Sequence, residues 1–128
     1  MTTTLTHISL LVEDVQIALH FYQDNLGLDL IENLGNYATL QANENLKLSF
    51  FPRIDMQEAL PSLHFKPVQG YRTVLEFFVE ELDSVCKTLQ AKGIQLVSEP
   101  TDHPDWGIRT AYFIDPDGNL VELFRNLK

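Results

Sequence analysis

The sequence predicts an α+β fold of two tandem βαβββ modules, and three observations carry that prediction. The first is an internal repeat. Thr6-His7-Ile8-Ser9-Leu10-Leu11-Val12-Glu13-Asp14-Val15 and Thr73-Val74-Leu75-Glu76-Phe77-Phe78-Val79-Glu80-Glu81-Leu82 each read as a strand entering a Val-acid-acid-apolar turn, with Val12 and Val79 standing 67 residues apart. The second is that a helical stretch follows each opening strand and is closed by a glycine. The third is a set of three short apolar runs after each helix. Helices cover one face of each sheet, so the two modules are expected to form a concave mixed sheet around a shared cavity.

Taken in order, Asp14 caps a helix over 15–26, in which Ile17 and Phe21 stand one turn apart, and Gly27 ends it in the left-handed conformation. Strands follow at 29–33, 37–41 and 46–51. In the second half Asp83 is expected to cap a helix whose apolar face includes Val85 and Leu89, and Gly93 ends it. Strands follow at 95–98, 109–114 and 120–124. Asp115-Pro116-Asp117-Gly118-Asn119 is a hairpin turn, with proline fixing φ and Gly118 accepting a positive φ. The connector over 52–71 has three prolines and one helical turn around 55–60, and its length suggests a lid or packing role. The whole chain is thus expected to be one domain, with module one over about 5–51 and module two over about 72–126.

The chain has 128 residues, 45% hydrophobic, the composition of an ordinary globular domain able to bury its own core. Nine Lys and Arg against 18 Asp and Glu give a formal charge of −9. Such a surface repels phosphate backbones and anionic lipid, which argues against nucleic-acid and membrane partners. A single cysteine, Cys86, cannot form an internal disulfide. It reads as a small buried apolar residue, and the expected compartment is a reducing cytoplasm. The amino terminus lacks the basic start and apolar stretch of a signal peptide.

His7 on an opening strand, the helix end Phe21-Tyr22-Gln23-Asp24-Asn25-Leu26-Gly27-Leu28 and the closing Asp115-Pro116-Asp117-Gly118-Asn119-Leu120-Val121-Glu122-Leu123 resemble the vicinal oxygen chelate superfamily. That group includes glyoxalase I, bleomycin-resistance proteins, fosfomycin-resistance enzymes and extradiol dioxygenases. The resemblance implies a concave pocket, a homodimer and, in metal-dependent members, one divalent ion (Zn, Ni, Co, Mn or Fe) held from the first and last strands of each module. On that pattern His7 and Glu122 are metal ligands, and Glu122 is also the catalytic group. The repeat places Val74 where metalloenzymes of the group usually have His. Matching Leu46 with Leu120 places Leu48 opposite Glu122.

Strand alternation puts His7, Ser9 and Leu11 on one face and the aliphatic Ile8, Leu10 and Val12 on the other, so His7 is expected to face the cavity. Glu122 sits between Leu120 and Phe124 on the cavity side, where a carboxylate needs a partner. Val74, Glu76 and Phe78 share that side. Glu76 is either a substitute carboxylate, a partner for a cationic ligand, or a solvated rim residue. Trp106-Gly107-x-Arg109 resembles a pattern of resistance and glyoxalase-like members, with Trp106 either offering a stacking surface or plugging the pocket mouth, and Arg109 either a fork for an anion or a partner in a surface salt bridge. Hydrophobicity does not settle whether Arg109, Ala111 and Phe113 or Thr110, Tyr112 and Ile114 face inward. Tyr37, Phe50, Phe78 and Phe124 are candidate pocket liners. His64 and His103 fall in loops and receive no ligand role.

The reading favoured here is a small-molecule binder resembling bleomycin-resistance proteins, with an incomplete metal site and an acidic surface that suits a cationic guest. The alternative is a metal-dependent lyase, isomerase or thiol transferase acting on a vicinal-oxygen substrate. A purely structural role is disfavoured by the polar residues expected on the inward faces.

Overall fold

The computed structural model describes residues 2–63 and 70–128. His64 and the end of the connector lie outside them. The chain divides into two compact units, 1–67 and 68–128.

The first unit runs β1 (His7–Val12), α1 (Val15–Leu26), β2 (Asp29–Asn33), β3 (Ala38–Gln41), β4 (Lys47–Pro52) and α2 (Arg53–Ala59). Its strands form one sheet in the order β1-β4-β3-β2, with β1 parallel to β4 and the other pairs antiparallel. Asp14 caps α1, its carboxylate accepting from the amides of Gln16 and Ile17 at 2.9 and 3.1 Å. Gly27 stops the helix at φ 67°. An Asp14→Ala variant should therefore lose ~1 kcal/mol of stability in urea unfolding, because two helix-end amides lose their acceptor. The buried stripe of α1 is Val15, Ala18, Leu19 and Tyr22, not the Ile17–Phe21 pair expected from the sequence. Those four occupy the i, i+3, i+4, i+7 positions of one face, and Ile17 is rotated out into solvent. The helical turn expected in the connector is α2, which packs on β4 and β1.

The second unit repeats the pattern with β5 (Val74–Phe78), α3 (Leu82–Ala91), β6 (Leu96–His103), β7 (Ile108–Ile114) and β8 (Leu120–Asn126). Its sheet has the order β5-β8-β7-β6, again with one parallel pair, β5 with β8. Together the units make the expected α+β architecture of two βαβββ modules. Asp83 does not cap α3. The cap position is Glu81, without a side-chain bond, and Asp83 lies inside the first turn. The buried face of α3 is Leu82, Cys86 and Leu89. Burial pushes the Cys86 thiol above its ordinary range, so it packs as an apolar side chain. Strand β6 extends to His103, well past the expected 98, and accommodates Pro100 because it is an edge strand with two register shifts. Among the described residues no helix is long and apolar enough to cross a membrane.

Ladder register corrects one equivalence between the modules. His7 pairs with Lys47 and Val74 with Leu120. Lys47, not Leu46, is therefore the counterpart of Leu120, and the counterpart of Glu122 is Ser49, not Leu48. Leu48 points the other way, into the helix-covered core.

Candidate functional site

In the second unit the two sheet faces differ sharply. Val121, Leu123, Ala111 and Phe113 are fully buried on the face that α3 covers. The alternate residues define the other face, and the register arranges them in rungs. Glu76, Glu122, Tyr112 and Ser98 form the central rung. Phe78, Phe124, Thr110 and Thr101 form the rung on one side. Val74, Leu120 and Ile114 form the rung on the other. This settles the orientation of β7, with Thr110, Tyr112 and Ile114 on the Glu122 face.

The hairpin sets that register. The Asp115 carboxylate accepts from the amides of Asp117 and Asn119, and the Asn119 side chain donates to it as well, while Gly118 takes φ 87°. A five-residue turn bounded by Ile114 and Leu120 then places Tyr112 directly opposite Glu122.

Glu122 is the unusual group of this face. It is 5% exposed. Its Oε1 accepts a 2.5 Å hydrogen bond from the Tyr112 hydroxyl. Its Oε2 is buried and has no hydrogen-bond partner among the described residues. Burial pushes the carboxyl above its ordinary value. The Tyr112 bond pulls it back, the neighbouring Glu76 carboxyl raises it through like charge and direct carboxyl contact, and nearby His103 lowers it. Tyr112 is pushed up to about 12 by burial and by the adjoining Glu122, so its hydroxyl remains a donor across the physiological range.

His103 extends the polar row. It is the last residue of β6, not a loop residue, and its Nε2 lies 2.9 Å from the Thr110 hydroxyl. The Trp106 ring stacks on it at 4.3 Å between centroids and 17° between planes. Trp106 is itself 62% exposed. Phe78 and Phe124 meet edge to face at 5.7 Å, with Phe78 54% exposed.

The second unit thus brings together Glu76, Glu122, Phe78 and Phe124, with Trp106 reached through His103. Tyr112, Thr110 and His103 join them without having been singled out. Tyr112 was legible from the turn, because counting outward from Ile114 and Leu120 pairs it with Glu122. His103 carries no such signal, since the sequence predicts a strand that ends at 98 and the strand runs on to 103.

Two expected liners lie elsewhere. Arg109 is on the helix-covered side, where its guanidinium bonds Asp83 at 3.0 Å and Asp102 at 2.9 Å and ties α3 to the edge of the sheet. It offers no fork to a ligand on the Glu122 face. Phe50 is 0% exposed on the helix side of β4, with its ring 5.6 Å from Tyr22 of α1. The aromatic of β4 on the open face is Phe51, which meets Tyr37 at 6.4 Å. Tyr37 and His7 belong to the first unit. Tyr37 donates to the Ser49 hydroxyl at 3.2 Å, and Thr39 and Ser49 are buried beside it. His7 is exposed at the start of β1, with its Nδ1 2.8 Å from the Thr6 hydroxyl.

No three His, Cys, Asp or Glu side chains gather at one point among the described residues. On the Glu122 face one carboxylate oxygen is taken by a phenol, burial favours the protonated acid, and Val74 offers no donor. A Glu122 carboxyl so held, with Glu76 beside it, does not make a metal centre of the second unit. An open groove of about 920 Å³ lies at the start of α3, lined by Phe78, Glu80, Leu82, Asp83, Asp102 and Arg125 among others, and shares Phe78 with the Glu122 face. It is solvent-facing, and Glu122 does not reach it.

Comparison with known proteins places this geometry in context. The sequence model of the Glyoxalase/Bleomycin resistance protein/Dioxygenase superfamily matches residues 4–123. The uncharacterized protein YraH of Bacillus subtilis is 34% identical over 128 residues, covering 96% of this chain and 98% of its own. A glyoxalase/bleomycin resistance protein/dioxygenase from Nocardioides superposes with a TM-score of 0.80 at 26% identity, covering 100% of this chain and 86% of that one. A family enzyme from Burkholderia phytofirmans PsJN gives a TM-score of 0.85 at 21% identity, covering 98% of this chain and 100% of that one.

Proposed function

The chain belongs to the Glyoxalase/Bleomycin resistance protein/Dioxygenase superfamily, and from that premise we propose that it is a small-molecule-binding protein whose ligand sits on the Glu122 face of the second unit. One observation carries the reading: a carboxyl group 5% exposed, with a buried oxygen to which nothing donates and with the Glu76 carboxyl lying against the group. A buried unpaired acceptor is costly, by about 1–3 kcal/mol, and a ligand donor that satisfies it recovers that cost. The neighbouring rungs supply the rest of a binding surface, aromatic on one side and aliphatic on the other. A reducing cytoplasm suits the free Cys86, and the homodimer implied by the resemblance is part of the proposal, open to sedimentation velocity.

Thermal unfolding against a panel of aromatic compounds tests the reading. A ligand at a hundred times its dissociation constant should stabilise by ~2.7 kcal/mol, raising the midpoint by several degrees. The rise should vanish in an Ile114→Trp variant, which fills the aliphatic rung. An equal rise in both proteins places binding elsewhere and defeats the proposal.

A second reading, a lyase or isomerase with Glu122 as its acid–base group, is favoured by the upward displacement of that carboxyl beside a phenol donor. Exchange of a carbon-bound proton of a carbonyl compound with solvent, lost in Glu122→Gln, is its test.

A further inference from the structure

We propose that Glu122 and Glu76 form a two-carboxylate cradle for an organic cation with paired N–H donors, an aryl amidinium or guanidinium, and that the cradle works without a divalent metal ion. The inference rests on the ligand reading above and narrows it to one chemical class.

Glu122 supplies the deep half of the cradle. Its Oε1 is committed to Tyr112, and its Oε2 is buried with nothing donating to it. One ligand N–H completes it. Glu76 supplies the outer half. It stands at the same rung of the parallel neighbour strand, on the same face, and is exposed. Adjacent strands lie about 4.8 Å apart. A planar N–C–N group presents two donors at a spacing that can address both carboxyls, and the charge strengthens each hydrogen bond.

The flanks choose the body of the ligand. The Phe78–Phe124 pair lies one rung away on one side, and Val74, Leu120 and Ile114 lie one rung away on the other. Each is ~7 Å along the strands from the acidic rung. A cationic head on a flat apolar body matches that sequence of surfaces. A bound cation also stabilises the ionised form of Glu122 beside Glu76, which a neutral isostere of the same shape does not. Within the second unit a divalent ion finds fewer donors. His103 Nε2 is held at Thr110, Val74 contributes nothing, and one oxygen of Glu122 already has its proton donor.

The test uses chelator-stripped wild type, Glu76→Gln and Glu122→Gln, with benzamidinium and neutral benzamide followed by amide NMR titration. Zn, Ni, Co, Mn and Fe(II) are followed by thermal unfolding of the same three proteins. Wild type should hold benzamidinium roughly tenfold or more tightly than benzamide. Both variants should reduce that preference to about twofold. No metal should raise the wild-type midpoint by more than it raises that of Glu122→Gln. Equal affinity for the two probes overturns the cradle while leaving the ligand face standing. A metal-dependent rise in wild type that Glu122→Gln removes overturns the metal-free claim. Failure of both probes to perturb this face overturns the cradle and the ligand reading together. Glu76→Gln, at an exposed position, keeps the test decisive if the buried substitution disturbs the fold.

Discussion

Glu122→Gln is expected to be more stable than wild type at neutral pH, by ~1–3 kcal/mol, and equal to it in acid. The cause is a carboxyl held above its ordinary value in the folded protein, first by burial and then, against the pull of the Tyr112 bond, by Glu76. Below the unfolded value, near 4.3, both folded and unfolded states carry the proton and wild type has its full stability. As pH rises, the unfolded chain releases the proton while the folded chain retains it. Stability then falls until the folded value is passed, and is level beyond it. Glutamine has the shape of the protonated acid and still accepts from the Tyr112 hydroxyl, so the variant lacks this decline. Urea unfolding of both proteins at several pH values between about 4 and 8 measures it. Parallel curves show that Glu122 ionises in place without cost, and the account of the site then loses its basis.

Phe113→Ala should cost more, ~3–5 kcal/mol, a large part of the 5–15 kcal/mol typical of a domain. Phe113 is 0% exposed on β7, paired across the strands with Val121 and Leu96 on the face under α3. Truncation leaves a cavity in a core whose other members, Leu82, Leu89 and Leu123, are held by backbone they do not control. The unfolding midpoint should drop by roughly 10 °C or more, and Phe113→Leu should recover most of the loss. A drop of only a degree or two means that this face is not the core of the second unit.

Much of the fold can be read from sequence because its signals are local. Asp14, Gly27 and Gly118 each act on the few residues beside them, and all three sit where their chemistry predicts. The 67-residue repeat of the opening strands extends those local signals to the whole chain. What sequence leaves open is long-range or depends on a single step of register. Arg109 carries both a ligand-binding and a structural interpretation until Asp83 and Asp102, 26 and 7 residues away, are seen to take its guanidinium. Phe50 and Phe51 are adjacent aromatics, and only the pairing of Ala38 with Phe50 tells which lies under α1. Apolar similarity between Leu46 and Leu120 shifts the inter-module match by one position, enough to put Leu48 in place of Ser49. Asp83 looks like a helix cap in a string of acids, and the helix begins two residues earlier than that role requires.

The most direct test of the ligand face is amide chemical-shift mapping of the assigned protein during titration with benzamidinium. The account predicts that the largest shifts fall on the central rung and its neighbours, at Glu76, Tyr112, Glu122 and Phe124. Largest shifts instead at the groove beside the start of α3, around Glu80–Ser84 and Arg125–Lys128, or within the first unit, would contradict it.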